Sequence, residues 1–325
     1  MKFATLPDGS RDGRLAVVSR DTRSAVFAEG IAATLQQALD HWERLAPELE
    51  ALSSALNAGD IRNAFPFEPA QALAPLPRAW QWLDGSAFLS HGDLMAKVFK
   101  IDNVQGSAPL MYQGLSDRFL APAEDVRLPS EGDGIDFEGE FGVITGAVPM
   151  EATPDEALAS IRLLVQINDW SLRVLAPGEM KTGFGWIQAK PACSAAPIAV
   201  TPDELGDAWR DGRIHLKLDV WRNDERFGAA DGSEMAFGFH DLIAHAARTR
   251  ELCAGTIVGS GTVSNANFRE IGSSCIAERR GIEMIDQGAA STSFLRFGER
   301  VRMEVRDAGG TSVFGAIDQQ VAPAG

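Results

Sequence analysis

Residues 134–141, GIDFEGEF, place Glu138 and Glu140 on either side of Gly139 and between Phe137 and Phe141. Alternate residues of a strand point the same way. The two acids therefore share one face. Phe137, Gly139 and Phe141 share the other, which can enter a core, and the glycine there would ease close packing. Taken alone, the stretch reads as a half-buried strand over 135–145 with a solvated acidic face. The competing reading is that a divalent cation holds the two repelling carboxylates together. Mg²⁺ and Ca²⁺ take six or more oxygens, so further ligands must come from elsewhere in the chain.

Working outward, the surroundings are mostly strands and turns. IHLKLDVWRNDERF (214–227) reads as a hairpin turning at Asn223-Asp224, and ERVRMEVRDAGGTSVFGAI (299–317) as another. Thr153, Pro154 and Glu156 form a helix-start signature before an apolar run that ends at Asn168-Asp169. FGFHDLIAHAART (237–249) reads as a helix. Nearer the N-terminus, LAVVSRDTRSAVFA (15–28) predicts a hairpin turning at Asp21-Thr22. Leu35, Leu39, Trp42, Leu45, Leu49, Leu52 and Leu56 then recur at helical spacing, with Pro47 expected to kink or split the helix. The proline-rich FPFEPAQALAPLPRAW (65–80) marks a boundary near residue 78. The expected organisation is a β-rich N-terminal domain with a helix over 1–78, then a larger domain over 79–325. Strands outnumber helices and do not alternate with them, so the fold class is α+β, predominantly β, and a parallel βαβ fold is disfavoured.

The 325 residues are 45% hydrophobic and 23% charged, ordinary values for a globular protein. A net charge of −15 argues against nucleic acid or an anionic membrane as partner, yet leaves room for a small anionic substrate held by local cations. Cys193, Cys253 and Cys275 are odd in number and widely spaced, which indicates neither a disulfide scaffold nor a zinc ribbon. With no signal-peptide pattern and no run of membrane-span length, the expectation is a soluble, cytoplasmic protein.

Candidate ligands and bases can be weighed one at a time. Asp169, in QINDWSLR, could simply end a strand in an Asx turn. Asp84, before Gly85 in WQWLDGSAFLSHGD, could simply be a turn residue. His91 follows Asp84 by seven residues and falls between an apolar run and Gly92-Asp93, which predicts a strand end. Its ordinary pKa suits general-base work. His41 falls within the first predicted helix, and His215, His240 and His245 fall on predicted strand or helix positions without a nearby acidic cluster. VGSGTVSNANF (258–268) matches neither phosphate-loop pattern.

Taken in order, these pieces resemble the fumarylacetoacetate hydrolase family. The matching features are the E-x-E of DFEGEF, the NDWSLR around Asp169, a lysine in IQAKP and the SGTVS loop; they span roughly residues 80–320. The resemblance implies a mixed β-roll behind a small β-rich N-terminal domain, and a homodimer. It also implies metal carboxylates at Asp84, Glu138, Glu140 and Asp169, holding Mg²⁺ or Ca²⁺, with Mn²⁺ as an alternative. By the same resemblance, His91 is the catalytic base, oriented by Glu278 or, failing that, Glu270. Lys190 is the cation beside the developing oxyanion. Tyr112, the only tyrosine, together with Arg173 and Thr262, is expected to bind substrate. The implied reaction is hydrolysis of a carbon–carbon bond in a β-diketone acid such as fumarylacetoacetate. Two substrate contacts of fumarylacetoacetase are missing, because Ala176 and Met180 stand at their positions. Another acylpyruvate or β-keto acid hydrolase or decarboxylase, as in fumarylpyruvate hydrolysis, oxaloacetate decarboxylation or a related isomerisation, therefore remains an alternative, as does a non-catalytic metal- or metabolite-binding protein.

Overall fold

The computed structural model describes residues 1–99 and 108–325. Its framework is an eleven-stranded sheet facing a five-stranded one. Across the large sheet the strands run Phe65–Pro66, Ser24–Phe27, Arg14–Val18, Lys2–Leu6, Ala199–Val200, Ile161–Asn168, Gly139–Thr145, Ile257–Gly259, Trp82–Gly85 and Met111–Gln113. Ser194–Ala195 also pairs with Ile161–Asn168. Most pairings are antiparallel; Ile257–Gly259 runs parallel to Trp82–Gly85. The smaller sheet orders Glu225–Asp231, Lys217–Arg222, Arg300–Arg306, Ser312–Pro323 and Val126–Leu128. Strand exceeds helix, as the irregular strand pattern predicts, and the N-terminal strands extend the same sheet through the pairing of Lys2–Leu6 with Ala199–Val200.

The predicted hairpins form where their turn residues allow. Ser19 N–H donates to the Ser24 carbonyl at 2.8 Å, and Thr22 takes φ 60°. Asn223 takes φ 54° between Lys217–Arg222 and Glu225–Asp231. Thr153 and Glu156 close a capping box on Pro154–Ser160. The N-terminal helix differs from expectation. It breaks at His41, between Leu35–Asp40 and Trp42–Ala58, and runs unbroken through Pro47. Pro47 sits early in the second segment, where it removes one hydrogen bond. Burial of Leu45, Leu49 and Leu56 against Phe3, Leu15 and Val17 outweighs that loss.

GIDFEGEF is also not one strand. Ile135–Asp136 and Gly139–Thr145 are separate, and Glu138 between them bridges to Cys275. The aromatic side does enter the core: Phe137 packs edge-on against Phe227 with centroids 5.1 Å apart. A Cβ at Gly139 would lie 2.8 Å from Leu218 Cδ2 and 3.4 Å from Met303 Sδ. Gly139→Ala is therefore expected to overpack this contact between the sheets and to destabilise the fold by about 1–3 kcal/mol. Urea unfolding measures it; an unchanged midpoint would refute the close approach.

Candidate active site

Two strands and the residue that follows a third deliver three carboxylates to one place, around a glycine on the strand between them. Glu140 stands on Gly139–Thr145, opposite Ile167. Asp84 stands on Trp82–Gly85, with Gly259 beside it on one side and Tyr112 on the other. Asp169 follows directly on Ile161–Asn168, and its N–H donates to the Glu138 carbonyl at 3.0 Å. Asp84, Glu140 and Asp169 offer ligand oxygens all within 4.8 Å of one another, and all three are buried. Gly259 makes this convergence possible. A Cβ there would lie 2.4 Å from Asp84 Oδ1 and 2.9 Å from Glu140 Oε2.

Three buried carboxylates cannot all stay ionised without a counter-charge. Burial, and then the charge of Asp169, pushes Asp84 up to about 8. Burial, then Asp84 and Asp169, drives Glu140 well above the carboxylate range. Among the described residues, neither oxygen of Glu140 meets a hydrogen-bond donor other than the neighbouring Asp84 carboxyl. Buried polar atoms are rarely left so. An all-oxygen donor set in which one carboxylate meets only another carboxyl fits a hard divalent cation such as Mg²⁺, Mn²⁺ or Ca²⁺.

Lys190 borders the cluster. Its ammonium donates to Glu138 Oε2 at 2.5 Å and to Asp169 Oδ2 at 2.6 Å. Burial alone would lower its pKa, but Asp169 and Glu138 outweigh burial and raise it, so it stays a cation. Tyr112 Oη donates to the same Asp169 Oδ2 at 2.6 Å, and Cys193 Sγ to Oδ1 at 2.9 Å. Burial and the neighbouring Asp169 hold the Tyr112 phenol protonated.

Glu138 stands one ammonium away from the three clustered acids. Both its oxygens are engaged, Oε2 by Lys190 and Oε1 by Arg173 at 2.5 Å. Burial opposes its charge, but Arg173 and then Lys190 prevail and hold its carboxyl below the usual range. Arg173 in turn donates to Asp136 Oδ2 at 2.7 Å. The guanidinium fork expected to grip a substrate carboxylate is thus spent on two protein carboxylates. Asp136 also accepts the first backbone N–H groups of helix Ile276–Gln287, from Ile276 at 2.7 Å and Ala277 at 2.9 Å. It ties the Glu138 side of the site to the helix that carries Glu278. Asp136→Asn would remove a buried charge facing Arg173 and the anion at that helix start, an expected loss of about 3 kcal/mol. Chemical denaturation measures this, and a loss under about 1 kcal/mol would show that Asp136 is not the tie described.

His91 lies on helix Leu89–Phe99 rather than at a strand end. Gly92 and Asp93 resemble a turn in sequence. Leu94, Met95 and Val98 instead pack toward Gly281 of helix Ile276–Gln287, which holds the segment helical. This packing sets His91 Nδ1 3.7 Å from Glu278 Oε1. The same oxygen accepts from Ser264 Oγ at 2.5 Å, and Ser264 Oγ accepts from Ser90 Oγ at 2.8 Å. Glu278 is fully buried, whereas Glu270 is exposed on Phe268–Ile271, so the glutamate beside His91 is Glu278. Thr262 is buried in the loop after Ile257–Gly259, whose Gly261 N–H donates to Asp84 Oδ1 at 3.2 Å. A separate groove of about 530 Å³, bordered by Phe227, Phe268, Arg279 and Ile282, takes in Glu270 but none of the clustered acids, Lys190, His91 or Glu278.

A family model described as fumarylacetoacetate (FAA) hydrolase C-terminal matches residues 81–322, and one described as fumarylacetoacetase N-terminal domain 2 matches residues 1–78. The chain belongs to the fumarylacetoacetate hydrolase family. A 2,4-didehydro-3-deoxy-L-rhamnonate hydrolase of Sphingomonas sp. (strain SKA58) is 29% identical over 157 residues, 47% of this chain and 52% of that one. A mitochondrial oxaloacetate tautomerase of Rattus norvegicus is 26% identical over 47% of this chain and 48% of its own. The chain thus spans about half the length of the curated relatives it matches. The crystal structure of maleylpyruvate hydrolase from Sphingobium sp. SYK-6, in complex with manganese(II) and pyruvate, shares the fold. It aligns over 100% of both chains at TM-score 0.66 and 17% identity. Members of the family thus include both hydrolases and a tautomerase. Among the described residues, no helix is long and apolar enough to cross a membrane.

Proposed function

We propose that this family member is a divalent-metal-dependent hydrolase that cleaves a carbon–carbon bond in a β-diketo or acylpyruvate-type acid. The observation that carries the reading is the buried Asp84–Glu140–Asp169 cluster, in which, among the described residues, Glu140's oxygens meet no donor but the Asp84 carboxyl. These three would hold Mg²⁺, Mn²⁺ or Ca²⁺; Glu138, expected from the sequence as a fourth ligand, has both oxygens taken by Arg173 and Lys190 and stands beside the set. When bound, the ion supplies Lewis-acid polarisation of the substrate's dicarbonyl oxygens and a counter-charge for the enolate leaving group.

The protein's own residues supply the rest. With Nδ1 of His91 turned toward Glu278, its Nε2 is the nitrogen that takes a proton from water, and Glu278 stabilises the charge that results. The hydroxide adds to the carbonyl carbon and the carbon–carbon bond breaks. One fragment leaves as a carboxylic acid. The other takes the proton back at carbon and leaves as a ketone. Lys190, kept cationic by its carboxylate neighbours, faces the oxyanion. Tyr112 fixes Asp169, and Thr262 contacts substrate from the glycine-rich loop. Arg173 acts through Glu138 rather than on substrate. A homodimer is the assembly that the family resemblance suggests.

A tautomerase moves a proton between carbon and oxygen without adding water, and the His91–Glu278 pair can serve either reaction, so the products separate the two. A panel of β-diketo and acylpyruvate acids, followed by loss of ultraviolet absorbance with Mg²⁺ present, tests this. At least one member should be cleaved into two acids or an acid and a ketone. Tautomerisation alone, or no turnover across the panel, would overturn the hydrolase reading.

A further inference from the structure

Segment 176–189 leads into Lys190 and is closed at its base by Glu179. The Glu179 carboxylate accepts the backbone N–H groups of Ile187 at 3.2 Å, Gln188 at 2.9 Å and Ala189 at 3.0 Å. On this strap Phe184 is 99% exposed and Ile187 84% exposed. Trp186, between them, turns inward. Its ring meets Tyr112 edge-on, with centroids 4.8 Å apart. The Lys190 ammonium lies 5.5 Å from the Tyr112 ring centroid and 5.8 Å from that of Trp186. That ammonium also touches Glu138 and Asp169. Trp186 therefore stands one residue's width from the carboxylate cluster. Its indole N–H is buried and, among the described residues, has no partner.

An indole nitrogen only donates. A buried donor left unpaired loses its hydration with nothing in return. The fork of Arg173, the expected anchor for substrate oxygen, is already engaged by Asp136 and Glu138. We infer that Trp186 is a substrate-binding residue whose indole N–H donates to a carboxylate or carbonyl oxygen of a planar oxo-acid seated beside Lys190. The inference rests on the reading of the cluster as an oxo-acid site. The strap clamped by Glu179 positions the donor, and the ring of Tyr112 sets its tilt.

The test uses oxalate, a planar dianion, added to the Mg²⁺-loaded protein. Trp186→Phe keeps a ring against Tyr112 and removes only the donor. Oxalate should bind about tenfold or more weakly to the variant, and Mg²⁺ affinity by calorimetry should not change. In the ¹⁵N spectrum of the wild type, the Trp186 indole is assigned by its nuclear Overhauser contact to Tyr112, the only tyrosine. That resonance should move on oxalate addition, a readout that does not depend on the variant folding. An indole that stays in place, or equal oxalate affinity in wild type and variant, overturns the assignment. If the indole moves but no acid of the panel is cleaved, Trp186 stands and the hydrolase reading falls. If the panel is cleaved and the variant keeps a wild-type KM, the hydrolase reading stands and Trp186 falls. If oxalate does not bind and the panel is not cleaved, both fall.

Discussion

Glu140→Gln is expected to reduce turnover about 10³-fold or more, since metal polarisation is worth several kcal/mol, and to abolish tight divalent-cation binding. The substitution keeps the shape of the side chain and removes a carboxylate whose oxygens, among the described residues, meet no donor but the Asp84 carboxyl. EDTA should act on the wild type as the substitution does, and Mg²⁺, Mn²⁺ or Ca²⁺ should restore activity to the wild type alone. The protons offer a second handle. In the metal-free fold Asp84 is pushed up to about 8 by burial and by Asp169, against 3.8 ordinarily. Between these values the folded state holds more protons than the unfolded one, so this group makes the metal-free fold less stable as pH rises. A cation replaces those protons. Its affinity should therefore rise with pH up to about 8, and the increase in melting temperature on adding Mn²⁺ should be larger at pH 8 than at pH 6. Full activity in excess chelator, or an ion-induced shift independent of pH, would contradict this account.

His91→Ala is expected to lower kcat by about 10²–10⁴-fold, the usual contribution of a positioned general base, while divalent-cation affinity stays at the wild-type value. His91 is tied to the site through Glu278 rather than through the three clustered acids. Base and metal functions should therefore separate in the two variants: Glu140→Gln loses both metal and rate, and His91→Ala loses rate alone. Glu278→Gln should fall on the His91 side of that division. Glu270→Gln should behave as wild type, because Glu270 is exposed on a different helix. A wild-type rate in His91→Ala would remove it as the base, and loss of the cation would place it among the ligands.

The acidic half of this site is legible in the sequence because charge is costly to bury and therefore conspicuous. E-x-E in an aromatic stretch and an aspartate at the end of an apolar run both ask for a counter-charge. The helix caps and hairpin turns are legible for a similar reason, since Thr153, Glu156 and Asn223 act on their immediate neighbours. What stays hidden depends on strand order. Gly259 is one glycine in a glycine-rich loop until its strand is seen between those of Asp84 and Glu140, where any side chain would hold the two acids apart. Asp136 lies two residues before Glu138, yet its partners are Arg173 and a helix start 140 residues away. The engagement of Arg173 follows from the same long-range contact. The helix around His91 is hidden by Gly92, a residue about 1 kcal/mol poorer than alanine in a helix; packing toward Gly281 overrides that preference. The inward turn of Trp186 between exposed Phe184 and Ile187 follows from the Glu179 clamp and the Tyr112 ring, both seen only in three dimensions.

The most direct test of the central claim is a crystal of the full chain soaked in Mn²⁺, with anomalous diffraction data collected at the manganese edge. The account predicts one strong anomalous peak coordinated by Asp84, Glu140 and Asp169, absent from crystals of Glu140→Gln. No peak at the cluster, or a peak that persists in the variant, would contradict it.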